Sequence, residues 1–345
     1  MKNKIMVNKN NRFEGIDGLK AYAIIGIAIM HVLSNGGYKI DGFVFEQLIP
    51  SFANLVFLFM MVSGFGMCCG YYQKILDQKI SVEDFYKKRY MKIWPYFALL
   101  CLLDFVISPS KESLFEVFAN LTLAQGLLPN ANISVIGVSW TLAVIFVFYM
   151  LFPFFCFLIK NKRRAWKVAI MALIFNWLCS SYFNATRTNI IYDAVYFIVG
   201  GLIFLYRKEL SDFASKNKIV IGGILLISTV TYFVLGYSTI TMLFFCVVAL
   251  VYTLGCNRGG VLVNPVAKFL GSISFEIYLC HMVIYRLLEK IHLVHLFGDG
   301  VFAYIFTAFT VICGSVVFSL CAKWFLNSFS VFLDKRLNYR RVRNV

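Results

Sequence analysis

A histidine placed at membrane depth is the feature of this sequence that points most directly to chemistry. An apolar run over 21–30 ends at His31. A charge-capable side chain is costly inside a bilayer, so its presence there indicates a function. A neutral imidazole in a dry site can take a proton from a hydroxyl near neutral pH. His31 is therefore predicted to act as a catalytic base, and the alternative is a buried histidine that only holds helices together.

Two charged residues, Asp17 and Lys20, precede His31 on the same predicted helix. Between Lys20 and His31 an α-helix turns by about 20° of net rotation and rises by about 16 Å. The two residues therefore share one helical face, with Lys20 near the cytoplasmic edge and His31 past the middle of the membrane. This face is predicted to form one wall of a cavity.

A second histidine, His281, lies inside another apolar segment, 267–288. Both segments are predicted to run from inside to outside, so His31 and His281 reach similar depths. Two histidines at one depth favour a polar cavity over contact with lipid. Glu276 precedes His281 by about 140° of helical rotation, so these two side chains do not share a face.

Arg89 and Lys92 form a basic pair at the predicted inner end of the third span. Their spacing puts both on one helical face. Arginine and lysine are the natural partners of phosphate, so the pair is a candidate docking site for a phosphorylated cytoplasmic ligand. The alternative is ordinary anchoring of the helix at the membrane surface.

The elements that must position these residues follow from composition. The chain has 345 residues, of which 60% are hydrophobic and only 14% are charged. This balance excludes an ordinary soluble domain and predicts a polytopic membrane protein. The net charge of +16 could suggest nucleic acid as a partner. The basic residues cluster in short segments between apolar spans, however, which is the positive-inside pattern of membrane proteins.

Hydropathy predicts an all-α bundle of about ten transmembrane helices in a single membrane domain, 1–345. An amphipathic segment at 114–128, in the longest non-spanning region, is predicted to be an interfacial or re-entrant helix. The first predicted span lies within the stretch 12–37, before an outer loop at 34–49, and a basic inner loop at 73–92 precedes the third span. The other predicted spans lie at 51–72, 93–107, 136–159, 168–183, 192–206, 219–235, 239–254, 267–288 and 301–325.

The distribution of the 33 Lys and Arg residues sets the predicted orientation. It places both termini in the cytoplasm and the chain in a cell membrane, as a multi-pass protein. The cations that fall in predicted outer segments are Lys39, Lys111, Arg187, Arg286 and Lys290.

The order of these features resembles the membrane-bound acyltransferase 3 family, which O-acylates carbohydrates and other hydroxyl-bearing acceptors at bacterial envelopes. Two more segments carry the resemblance, the Ser-Gly-Phe stretch that begins at Ser63 and the aromatic span that begins with Ser139 and Trp140. The family's basic pair is usually Arg-x-x-Arg, and its second position here is a lysine. The matching motifs are Asp17, Lys20 and His31; Ser63; Arg89 and Lys92; Trp140; and Tyr278 with His281.

The resemblance implies an O-acyltransferase that moves an acyl group, with acetyl favoured, from cytoplasmic acyl-CoA to a hydroxyl of an extracytoplasmic or lipid-linked glycan. Acetyl-CoA is then a co-substrate, membrane lipids surround the protein, and neither a bound cofactor, a metal nor nucleic acid is expected. The implied roles are catalysis by His31, Asp17, Glu276 and His281; donor binding by Lys20, Arg89 and Lys92; and a substrate cavity lined by Trp140, Ser63 and Tyr278.

One departure from the family bears on the mechanism. Many members carry acidic residues after the tryptophan motif, where this chain has Ile145 and Phe146. Glu276 or Asp17 would then have to supply the acidic partner of His31. Some members also carry an extracytoplasmic esterase-like domain, which is not expected here, so this chain would work alone or with a separate envelope-assembly partner.

Two alternatives stay open at this point. A transporter or flippase for a lipid-linked glycan would also use buried polar residues and basic inner loops. Against it, the sequence shows no internal repeat and no paired broken spans. A non-enzymatic membrane partner in envelope assembly is the second alternative. Whether His31 deprotonates the acceptor or carries the acyl group transiently is also open.

Overall fold

The computed structural model describes residues 13–123, 125–127, 135–183, 185, 187–256 and 259–343. Within these ranges the chain is helical and contains no strand. The helices are α1 Gly15–Gly36, α2 Val44–Leu76, α3 Val82–Ile107, α4 Lys111–Leu121, α5 Ser139–Leu158, α6 Lys162–Ser181, α7 Ile190–Leu205, α8 Arg207–Lys216, α9 Lys218–Leu235, α10 Thr239–Leu254, α11 Pro265–Ser272, α12 Ser274–Lys290 and α13 Val301–Arg343.

The prediction of a helical polytopic membrane protein agrees with this architecture. Six helices are long and apolar enough to cross a membrane, and the number rises to 8 if each of two interrupted helix pairs counts as one span. α6 forms where a span was predicted but is not among the six, and α10 is apolar but short. The count of ten spans and the cytoplasmic placement of both termini stay predictions.

α3 begins about three turns earlier than the predicted third span, which started at residue 93. Ser81 caps the helix, because its side-chain oxygen accepts a hydrogen bond from the backbone N–H of Asp84 at 3.0 Å. Glu83 and Asp84 also lie in the first turn, where negative charge is favourable. Arg89 and Lys92 are therefore part of a continuous helix, and the predicted inner loop at this place was wrong.

The ninth predicted span is not continuous. α11 ends at Ser272 and α12 begins at Ser274, so the predicted span 267–288 is broken at Ile273. A second break, at Tyr206, separates α7 from α8. The sequence expectation that no paired broken spans occur was wrong, because apolar composition is unaffected by a local change of chain direction.

The predicted amphipathic helix at 114–128 corresponds to α4. α4 starts at Lys111 because Ser110 and Ser113 form a reciprocal capping box. It ends at Leu121, followed by a short 3-10 turn at Gln125–Leu127. The last predicted residue, 128, lies outside the described ranges.

The chain divides into two compact units. The first comprises residues 1–22 and 205–272. Its contacts depend on glycine: a Cβ on Gly18 would lie 2.1 Å from the Leu262 carbonyl oxygen, and one on Gly271 would lie 1.9 Å from the Asp17 carbonyl oxygen. A side chain at either position would push the start of α1 away from the segments that surround it.

The second unit comprises residues 23–204 and 273–345 and contains both histidines of interest. Two glycines fix the spacing of α2 and α7 reciprocally. A Cβ on Gly64 would lie 2.4 Å from the Phe197 carbonyl oxygen, and a Cβ on Gly200 would lie 2.2 Å from the Met61 carbonyl oxygen. The small-residue patch beside Ser63 therefore serves close helix packing.

A buried polar cluster fixes the chain just before α5. Asn120 donates to the Val135 carbonyl at 2.7 Å, and its Oδ1 accepts from Ser139 at 2.9 Å and from Gln125 at 2.8 Å. Nearby, the carboxylate of Asp104 accepts from the Ile136 backbone N–H at 3.2 Å and from Nη1 of Arg286 at 2.9 Å. We call Asp104, Asn120, Ser139 and Arg286 the satisfied network. Gln125 donates to it, but its own Oε1 is buried without a hydrogen-bond partner in the described ranges.

Candidate functional site

The two membrane histidines meet in the second unit. His31 lies on α1 and His281 on α12, and their ring centroids are 5.2 Å apart. His31 is partly exposed, whereas His281 is completely buried. The sequence predicted a similar depth for the two residues, and the structure adds that their rings lie next to each other. Of the two, His31 is the ring that a reactant can reach.

The hydrogen bonds of His281 fix its tautomer. Nδ1 lies 2.7 Å from the Tyr278 carbonyl oxygen and 3.3 Å from that of Ile277. A carbonyl can only accept a hydrogen bond, so Nδ1 must carry the proton. Nε2 then carries a lone pair. It is buried and has no hydrogen-bond partner in the described ranges, which leaves a free acceptor beside His31.

Tyr278 connects this helix turn to the start of α5. Its hydroxyl lies 2.9 Å from Oγ1 of Thr141 and 3.2 Å from the Val138 carbonyl oxygen, and it can donate to either. Its ring lies 6.0 Å from the ring of His281 and 6.1 Å from that of Phe59. The structure thus gives Tyr278 a place in the wall behind His281, with its hydroxyl already engaged.

Arg187 is a component of the site that sequence reasoning did not select. Its guanidinium lies 5.4 Å from the ring centroid of Trp140. Its charge acts on His31, Tyr278 and Asp193. No carboxylate lies within 4 Å of it in the part of the chain that the structure describes. The only signal in the sequence was its rarity as a cation in a predicted outer segment.

Asp193 was also missed. It lies in the first turn of α7, is completely buried, and has no hydrogen-bond partner for either carboxylate oxygen among the described residues. An unpaired buried carboxylate is strongly unfavourable, and native structures rarely retain one without a role. A carboxylate at the start of an apolar span was a signal that hydropathy alone obscured.

Arg89 lies in an aromatic box. Its Nη2 donates to the Tyr71 hydroxyl at 2.6 Å, and its guanidinium carbon lies 4.6 Å from the Tyr71 ring centroid and 5.9 Å from that of Tyr149. The Tyr149 hydroxyl lies 3.3 Å from the Ser63 hydroxyl, so Ser63 belongs to the same cluster. The Nε of Arg89 is buried and has no acceptor within the described ranges. Lys92 is exposed one turn further along α3.

The remaining predicted site residues form ion pairs. Asp17 and Lys20, in the first unit, pair with each other at 2.8 Å. In the second unit, Oε1 of Glu276 pairs with Lys323 at 2.8 Å, and its Oε2 has no hydrogen-bond partner among the described residues. The face of α12 that carries Glu276 differs from the face of His281, as their rotation predicted. The roles assigned to these three residues stay predictions.

Metal ligands are not grouped in the described part of the chain: no set of three or more His, Cys, Asp or Glu side chains there could hold a metal ion. The side chains gathered at the site are histidine, arginine and aromatic residues. They provide a proton acceptor at His31 and a free lone pair beside it at Nε2 of His281.

Comparisons with known proteins give one match. A sequence model of a family described as an acyltransferase domain matches residues 13–324. No curated protein and no solved structure matches the chain. The matched range contains every candidate residue described above.

Proposed function

The chain belongs to the acyltransferase 3 family, and from this premise we propose that it is a membrane O-acyltransferase for an envelope glycan. The donor is cytoplasmic acyl-CoA, with acetyl-CoA favoured, and the acceptor is a hydroxyl of an extracytoplasmic or lipid-linked sugar. The protein acts as a multi-pass protein of a bacterial plasma membrane with both termini in the cytoplasm. The observation that carries the proposal is the contact between His31 and His281.

The two histidines have different roles in general base catalysis. His31, the partly exposed ring, takes the proton from the acceptor hydroxyl. The hydroxyl oxygen attacks the thioester carbonyl carbon, the C–S bond breaks, and the CoA thiolate leaves with the proton that His31 held. The free Nε2 of His281 is placed to accept a hydrogen bond from His31 once reactants are bound, and this bond would orient the ring.

The aromatic box around Arg89 is the proposed donor site. Among the described residues, no carboxylate forms an ion pair with Arg89 and its Nε has no acceptor, so this cation is suited to the phosphate groups of CoA. Lys92 lies one helical turn away on the same face and adds positive charge. Lys20 is retained as a donor-binding residue on the sequence evidence. The thioester arm then extends from this end of the site toward His31.

The acceptor side of the proposal rests on the residues around Trp140. Trp140 and Tyr278 lie at the end of the site opposite the Arg89 box in the predicted orientation, where an extracytoplasmic sugar would arrive. The partly exposed indole ring of Trp140, at the start of α5, suits a carbohydrate, which presents apolar faces as well as hydroxyls.

The decisive experiment is transfer of label by the purified protein. The protein in lipid vesicles is incubated with acetyl-CoA labelled in the acetyl group and with glycans extracted from the envelope of its host. The wild type is expected to label the glycan. His31→Ala should reduce the rate by about 1,000-fold, because general base catalysis contributes on this scale. His295→Ala is the matched control, since His295 lies in an exposed loop and pairs with Asp299.

The outcomes separate the proposal from its alternatives. Movement of intact lipid-linked glycan across the vesicle membrane without label transfer would favour the flippase. Failure of the wild type to bind acetyl-CoA would favour a non-enzymatic partner in envelope assembly. Full activity of His31→Ala would show that the histidine pair does not perform the reaction.

A further inference from the structure

Arg187 and Asp193 stand apart from the ion pairs elsewhere in the second unit. Asp104 and Glu276 each pair with a cation within 2.9 Å. Asp193 is completely buried, yet neither of its oxygens has a hydrogen-bond partner in the described ranges. Arg187 has no carboxylate within 4 Å in that same part of the chain. A buried carboxyl group and an exposed cation are thus present but not directly joined.

The Trp140 ring determines where the Arg187 charge lies. A guanidinium 5.4 Å from the centroid of an indole ring gains a favourable cation–π interaction. Trp140 is followed on α5 by Thr141, which hydrogen-bonds to Tyr278 at 2.9 Å. The Tyr278 carbonyl in turn holds the ring of His281 at 2.7 Å. A short chain of contacts therefore connects the Arg187 cation to the histidine pair.

Electrostatic interactions support the same placement. The charge of Arg187 acts on His31 and on Tyr278 as well as on Asp193. These groups come from three different helices, α1, α12 and α7, so Arg187 lies near the place where these helices meet. The side chain is exposed, which leaves its N–H groups free to meet a reactant.

A reaction in which a hydroxyl attacks a thioester creates negative charge on the carbonyl oxygen. That charge needs a hydrogen-bond donor or a cation already in position. His31 cannot provide it while it acts as the base. Tyr278 cannot readily provide it, because its hydroxyl is engaged with Thr141.

Resting on the proposed acyl transfer, we infer that Arg187 stabilises the oxyanion formed at the thioester carbonyl. Arg187 donates its N–H groups to the carbonyl oxygen as the acceptor oxygen bonds to the carbonyl carbon. The proton passes to His31, and collapse of the intermediate expels the CoA thiolate, which takes that proton. The Trp140 ring holds the guanidinium in place through the cation–π contact at 5.4 Å.

Three variants test the inference in the labelled acetyl-transfer assay with acetyl-CoA and host envelope glycans. Arg187→Gln should lower kcat by about 100-fold, as loss of one oxyanion donor does, while the KM for acetyl-CoA is unchanged. Arg187→Lys should recover part of kcat, because it keeps the charge but not the planar fork of donors. Lys39→Gln is the control, since Lys39 is also a cation in a predicted outer segment but lies 85% exposed and away from the histidines.

If Arg187→Gln fails to enter the membrane fraction, Arg187→Lys, which keeps the charge, carries the test alone: wild-type kcat in that variant would overturn the need for a planar fork of donors.

The possible failures are distinguishable. Wild-type kcat in Arg187→Gln, or a change confined to the KM for the glycan, would overturn the oxyanion role while leaving the proposed acyl transfer in place. A wild type that transfers no label would overturn the proposed function and this inference together.

Discussion

The satisfied network and the histidine site, by which we mean His31, His281 and the nearby Arg187 and Asp193, are two polar regions of the same helical unit. They differ in whether their buried polar atoms have hydrogen-bond partners. In the satisfied network, Asp104 accepts three hydrogen bonds and Asn120 takes part in three. At the histidine site, Nε2 of His281 and both oxygens of Asp193 are buried without partners in the described ranges. Both arrangements cost desolvation, but only the first recovers it within the protein.

This difference indicates where the protein keeps its binding capacity. Atoms that are fully paired hold the backbone in place, whereas atoms left without partners are available to reactants or to each other during reaction. The satisfied network should therefore affect stability, and the histidine site should affect rate. Substitutions in the two regions can confirm or break this distinction.

Of the three further substitutions that compare these two regions, His281→Ala is expected to have the largest effect, a loss of kcat. Loss of the free Nε2 should reduce kcat by about 100-fold, at the lower end of acid–base contributions, because His31 keeps its ring but loses the acceptor that orients it. The melting temperature should fall as well, because the ring is completely buried and its removal leaves a cavity, so kcat is measured well below the unfolding transition. The measurement is steady-state acetyl transfer alongside thermal unfolding in detergent. A variant with normal kcat would show that His281 does not orient His31 for catalysis.

The next effect is expected from Asp104→Ala, and it should appear in stability. Removing this carboxylate leaves Arg286 and the Ile136 backbone N–H without their partner, at a cost of about 2 kcal/mol. Asp299→Ala is the matched control, because its ion pair with Lys39 is exposed and long, at 3.9 Å, and should contribute less than about 1 kcal/mol. If Asp104→Ala lost activity without losing stability, the satisfied network would have to be counted as part of the reaction centre.

The smallest effect is expected from Arg89→Gln. Nη2 of its guanidinium is bonded to Tyr71, whereas Nε has no acceptor within the described ranges. Arg89 is therefore intermediate between the paired atoms of the satisfied network and the unpaired atoms of the histidine site. The KM for acetyl-CoA should rise by about tenfold, equivalent to one charge-assisted hydrogen bond, while kcat stays close to the wild-type value. Lys88→Gln, an exposed neighbour on α3, is the control. A fall in kcat at unchanged KM would move Arg89 from donor binding to catalysis.

Part of this site could be predicted from the sequence because helical geometry translates spacing into position. Counting residues along apolar segments was enough to predict a similar membrane depth for His31 and His281, and to predict that Glu276 and His281 lie on different faces of one helix. The same counting could not find Arg187 or Asp193. Arg187 precedes a helix, so its position depends on the path of an irregular segment rather than on a helical period.

The errors in the fold have physical causes of the same kind. The run of charges before residue 93 was interpreted as a loop, although Ser81 and the acidic first turn of α3 were present as helix-start signals. The break at Ile273 lies inside an apolar segment, where hydropathy cannot distinguish one helix from two. Composition predicts what is buried in the membrane, whereas chain direction depends on packing that composition does not record.

The reciprocal glycine contact between α2 and α7 has a mechanical consequence for the proposed reaction. Gly64 follows Ser63, which belongs to the Arg89 box, and Gly200 lies two turns after Asp193 on α7. At these glycines the two backbones are in direct contact, so α2 and α7 cannot move closer together and separate only by losing this packing. The spacing between the Arg89 box on one side and the start of α7 on the other is therefore fixed. The length of the acyl donor itself, rather than a movement of these helices, then has to cover the distance to His31.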